Sequence, residues 1–154
     1  MTMISWQRKL AGAAAGTALW LAATPVFGQT LLRVDEAWVR ATVPGQPVAA
    51  AYMKLVASVP LRLVRIDTPA AKTAQVHAMS NEDGIMRMRE LDALDLPAGQ
   101  IVSLAPGGMH LMLFDLSAPL RDGGRVHLTL TVRDRTGKES SQSVDAPVRR
   151  VPVE

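Results

Sequence analysis

The chain has 154 residues, 17 Lys and Arg against 14 Asp and Glu, and no cysteine. This length suits one domain with its own apolar core. The lack of thiols excludes disulfides, thiolate metal sites, thiol catalysis and a lipid-modified cysteine, and no basic stripe with interleaved aromatics marks a nucleic-acid surface.

The N-terminus reads as an export signal. Arg8 and Lys9 precede "LAGAAAGTALWLAATPV", which is apolar and uncharged, and Val26 and Gly28 suit the positions three and one before a cut. The apolar run is shorter than the roughly 20 residues that span a bilayer and is interrupted by Gly and Pro25, so a cleaved signal over residues 1–28 is expected rather than a stable membrane anchor. Removal of that segment leaves 15 basic and 14 acidic side chains, a net charge of +1. The mature domain is then residues 29–154.

Beyond Gln29 the chain reads as strands and turns. Residues 31–40 mix apolar and polar positions, with Trp38 as a large core candidate. "ATVPGQPVA" is a turn region. Residues 50–58 and 61–68 flank Pro60 and are expected to form a hairpin. Residues 73–79 and 84–90 flank the polar turn Ser80-Asn81-Glu82-Asp83 and are expected to pair antiparallel. "LDLPAGQ" is a loop. "QIVSL" and "MHLMLFDL" flank Ala105-Pro106-Gly107-Gly108, and residues 125–134 have the cleanest period of two. A last strand follows Thr136-Gly137. No window sustains a capped helical stripe, and eight or so short strands punctuated by Gly and Pro predict an all-β sandwich or barrel.

Two clusters stand out. "VHAMSNEDGIMRMRE" holds His77, Met79, Met86 and Met88, and "GGMHLMLF" holds Met109, His110 and Met112. Residues two apart in a strand share a face, so His77 goes with Met79, Met86 with Met88, and His110 with Met112. Neutral imidazole and soft thioether together suit Cu(I), whereas Zn²⁺ favours Cys, His and carboxylate. A blue-copper electron-transfer centre would need a Cys thiolate. Met is also a common core filler, and Met53 and Met109 are assigned to packing or surface. His127 lies opposite the apolar face of Val126, Leu128, Leu130 and Val132, and is expected to be solvated. On composition alone, packing and metal roles for the clusters both remain open.

The spacing narrows the choice. Ten residues separate His77 from Met88, 21 separate Met88 from His110, and one separates His110 from Met112. This H-x10-M-x21-H-x-M pattern resembles the periplasmic copper chaperone family known as PCuAC. "VDEAWVRATVPGQPVAAAYMKL", "GIMRMRE" and "LAPGGMHLMLFDL" resemble further segments of that family, so the likeness spans residues 32 to 134. It implies a cupredoxin-like Greek-key β-barrel or sandwich. It also implies a Cu(I) site of His77, Met88, His110 and Met112 in a monomeric periplasmic carrier, which passes copper to a transient protein acceptor such as the copper centres of cytochrome c oxidase. Met79 and Met86 would shield the site or replace a lost thioether. The tail "SVDAPVRRVPVE" lacks His and Met, so one copper per chain is expected. The alternative is a periplasmic β-sandwich interaction or assembly module with structural His and Met. No nucleophile motif such as Gly-x-Ser-x-Gly supports an enzyme; Glu82 and Asp83, the nearest carboxylates, are expected to be solvated. The exported form should begin at Gln29. Intact mass of the periplasmic protein checks this, and a species retaining residues 1–28 would contradict cleavage.

Overall fold

A computed structural model describes residues 30–150; the signal segment and its cleavage position lie outside them. Ten strands are formed: β1 (Leu32–Arg40), β2 (Val48–Ala57), β3 (Leu61–Asp67), β4 (Ala71–Glu82), β5 (Ile85–Leu91), β6 (Leu94–Leu96), β7 (Ile101–Leu104), β8 (His110–Leu116), β9 (Arg125–Asp134) and β10 (Glu139–Arg149). The fold is the expected all-β, cupredoxin-like one. One sheet runs β5-β4-β8-β2-β1, with β7 also on β2, and the other runs β10-β9-β3-β6. They join through a short parallel pairing of β1 with β10 at Val39–Arg40.

Alternation along the strands builds the core. Val76 of β4 and Leu111 and Leu113 of β8 face inward from the first sheet, while Leu128, Leu130 and Val132 of β9 face inward from the second. All six are buried. Burying a side chain of this kind stabilises the fold by about 1.5–3 kcal/mol. The intervening residues are left on the outer faces. Trp38 is buried, as expected, and packs against Tyr52 with ring centroids 4.5 Å apart.

Three local expectations are corrected. The segments flanking Pro60 do not form a hairpin: β2 belongs to the first sheet, whereas β3 pairs with β6 and β9 in the second. The edges of β2 are already taken by β1 on one side and by β8 and β7 in succession on the other, so the chain must cross between sheets at Ser58–Pro60. "LDLPAGQ" is not all loop. Leu94 and Leu96 bury as β6, and Asp95 between them reaches Arg62 at 2.8 Å. Finally, β4 runs to Glu82, and the turn itself is Asp83-Gly84.

That turn sets the β4–β5 pairing. Asp83 and Gly84 have φ of 54° and 81°. Two consecutive positive φ values match a type I′ turn, whose twist suits a two-residue hairpin loop. The Gly84 N–H donates to Asn81 Oδ1 at 2.9 Å. At the β9–β10 turn, Asp134 accepts the Thr136 hydroxyl at 2.6 Å, and this bond, with backbone N–H donors from Thr136 and Lys138, holds its carboxyl below the usual range.

Gly84→Ala tests the β4–β5 turn. An added Cβ would meet no atom within 4 Å, so its cost is conformational, about 1–2 kcal/mol for an L-residue in left-handed geometry. Urea denaturation should show that loss; an unchanged midpoint would rule out the left-handed turn.

Candidate metal centre

Direct cross-strand partners share a face of a sheet, so the register decides which donors meet. Between β4 and β8, His77 pairs with His110 and Gln75 with Met112. Between β4 and β5, Met79 pairs with Met88, Asn81 with Met86 and His77 with Glu90. All of these side chains therefore lie on the outer face of the first sheet, opposite the core residues Val76, Leu111 and Leu113. The sequence could not show how the third cluster strand reaches the other two; β8 does so as the direct neighbour of β4.

The two imidazoles are stacked, with centroids 6.2 Å apart and planes inclined by 30°. The Phe114 ring lies 5.7 Å from the His77 ring. His110 is only 7% exposed, His77, Met79 and Met112 are half-buried, and Met88 and Met86 are 53% and 54% exposed. Met88 is the one motif residue outside β4 and β8. It stands on edge strand β5, with Met79 directly between it and the histidine pair's side of the sheet.

Local structure orients the rings. The β7–β8 loop closes on itself, with the Ala105 N–H donating to the Met109 carbonyl at 2.8 Å and the Gly108 N–H to the Ala105 carbonyl at 3.1 Å. The Gly108 carbonyl is thereby placed 2.9 Å from His110 Nδ1. A carbonyl only accepts, so His110 Nδ1 carries the proton and Nε2 keeps a free lone pair. A backbone carbonyl on the non-binding nitrogen is the usual support for a metal-ligating histidine. His77 Nε2 lies 3.2 Å from Gln75 Oε1. His77 Nδ1 is buried without any hydrogen-bond partner, alone in this among the described side-chain N and O atoms. An unsatisfied buried polar atom costs about 1–3 kcal/mol, and a cation bound at the lone pair would satisfy it.

The donor set selects the ion. Among the described residues no three His, Cys, Asp or Glu side chains converge. Two imidazoles beside thioethers form a neutral, soft set that fits a monovalent soft ion better than Zn²⁺, Mg²⁺ or Ca²⁺.

The other sequence candidates separate cleanly. Met53 is buried in the core, and Met109 packs against it. His127 sits on the second sheet, exposed, with Nδ1 2.8 Å from Asp145. Glu82 and Asp83 are solvent-exposed. Gln75, Phe114 and the Gly108 carbonyl were not singled out in the sequence. Their signal was the period of two: Gln75 is two residues before His77, and Phe114 is two after Met112.

Comparison with known proteins gives the family and the fold. The family model described as LpqE-like matches residues 32–148, and the chain belongs to that family. It is 34% identical over 119 residues to "Putative lipoprotein Lxx21020" of Leifsonia xyli subsp. xyli (strain CTCB07), covering 77% of this chain and 69% of the relative. The fold is similar to the copper-bound PCuAC domain from PmoF2, with a TM-score of 0.62 and 28% identity over 77% of this chain and 92% of that one. It is likewise similar to CuI-DR1885 from Deinococcus radiodurans, with a TM-score of 0.60 and 30% identity over 80% and 83% of the two chains.

Proposed function

We propose that this LpqE-like protein binds one Cu(I) ion and carries it in the periplasm to a protein acceptor, of which the copper centres of cytochrome c oxidase are the fitting kind. His77, Met88, His110 and Met112 hold the ion, and Met79 supplies a neighbouring thioether. The domain is residues 29–154, exported by a cleaved signal over residues 1–28, and it is not an enzyme. One observation carries this reading: His77 and His110 stand directly opposite one another on the methionine-bearing face, and His77 Nδ1 is buried with no partner. Copper-bound PCuAC domains among the similar structures support it.

The chemistry fits carriage. Thioethers are neutral soft donors that do not form disulfides, so they remain available in an oxidising compartment. A site on an open sheet face, with one thioether on an exposed edge strand, lets an acceptor's ligands approach the ion without unfolding the carrier. A cleft of about 490 Å³ lined by Pro60, Arg62, Leu96 and Arg135 is on the second sheet's side and includes none of these donors.

Competition titration with a chromogenic Cu(I) chelator tests the assignment. The mature domain should bind one Cu(I) tightly and Zn²⁺ weakly; comparable Zn²⁺ affinity would remove the methionines from the site. Met88→Leu conserves volume at an exposed position, so the apo protein should lose under about 1.5 kcal/mol. Its Cu(I) affinity should fall at least about tenfold, or about 1.4 kcal/mol. His127→Ala should leave affinity unchanged. A loss at His127 with none at Met88 would overturn the assignment.

A further inference from the structure

We propose that Gln75 is a positioning residue of this site: it holds the Nε2 proton of His77 and so presents Nδ1 to the ion, while the Gly108 carbonyl makes His110 present Nε2. The inference rests on the copper reading and adds to it a residue outside the four-ligand motif.

Neutral imidazole carries one ring proton, on either Nδ1 or Nε2 of His77. If Nδ1 carried it, a buried donor would have no acceptor, since Nδ1 has no partner, and the Nε2 lone pair would face Gln75 Oε1 at 3.2 Å. Reversing the Gln75 amide would repair the second fault and leave the first. With the proton on Nε2, Nε2–H donates to Oε1, no buried donor is left without an acceptor, and the unpartnered Nδ1 is a bare lone pair open to a cation. Gln75 is fixed for this task. It is half-buried, it precedes His77 by two on the same face, and its cross-strand partner is Met112. It therefore sits between a motif imidazole and a motif thioether. His110 is held in the reverse sense by Gly108 at 2.9 Å, so the two rings offer different nitrogens to one ion. Support of a ligating imidazole through its other nitrogen commonly changes metal affinity by about 10–100-fold.

The test uses the whole mature protein at pH 8, labelled with ¹⁵N. Long-range ¹H–¹⁵N spectra of the apo form should show opposite tautomers, Nε2–H for His77 and Nδ1–H for His110. Added Cu(I) should shift the ¹⁵N signals of His77 Nδ1 and His110 Nε2. Gln75→Leu, which keeps bulk but removes the acceptor, should lower Cu(I) affinity about tenfold, with apo melting nearly unchanged. Gln75→Glu, which keeps an acceptor there, should hold the His77 tautomer and most of the affinity. An Nδ1–H tautomer at His77, a copper-induced shift at its Nε2, or wild-type affinity in Gln75→Leu would overturn the proposal. Absence of Cu(I) binding by the wild type would instead overturn the copper reading, because the apo tautomers test Gln75 without metal.

Discussion

The register of β4 against β8 is the constraint on which everything else depends. Pairing His77 with His110 places Val76 beside Leu111 in the core and Gln75 beside Met112 outside. Because side chains alternate strictly, a slip of β4 by one residue would turn His77 toward the core and Val76 out of it. The apolar half of each strand therefore enforces the position of the polar half. The free energy that holds the donor face together comes from residues that touch no ion: Val76, Leu111 and Leu113, packed against Leu128, Leu130 and Val132 of the other sheet.

The hairpin β4–β5 extends this logic with less support. All of β5 from Ile85 to Glu90 is exposed, so its placement relies on backbone pairing with β4 and on the Asp83-Gly84 turn rather than on burial. Met88 inherits that weaker hold. The donors thus range from His110, buried and fixed by a backbone carbonyl, to Met88, exposed on a strand with one free edge.

Much of this was legible in the sequence, for physical reasons. The period of two over residues 125–134 identified the buried face of β9 and placed His127 outside it, where it bonds to Asp145. The short polar link after Met79 gave the β4–β5 pairing. The spacing of His77, Met88, His110 and Met112 grouped residues that the fold sets on one face. What was not legible depends on non-local pairing. Nothing near Pro60 signals that β2 and β3 enter different sheets, because the neighbours that occupy the edges of β2 come from β1, β7 and β8. Trp38 was read as core for its size and is buried, but its partner Tyr52 comes from β2 and could not be named from the local sequence. Gln75 carries no motif signal; its role appears only when the ring beside it is seen to have one satisfied nitrogen and one orphan.

Placing donors on the outer face also separates folding from binding. A core leucine cut back to alanine costs about 2–5 kcal/mol, so a ligand set built among such residues would couple every change of donor to stability. Here the candidate donors on β4 and β8 alternate with core residues along their strands and Met88 lies on exposed β5, so a change of donor leaves the core packing in place. The exception is His77, whose Nδ1 is buried without a partner. That atom is a small standing cost in the apo fold, and binding of a cation removes it. In the proposed site that cost would favour the loaded state at His77, while the exposed thioether of Met88 would leave the ion within reach of another protein. Firm retention at a buried end and access at an open end are the opposing requirements of a carrier, and the β5-β4-β8 order would meet them in the proposed site by grading burial across three adjacent strands.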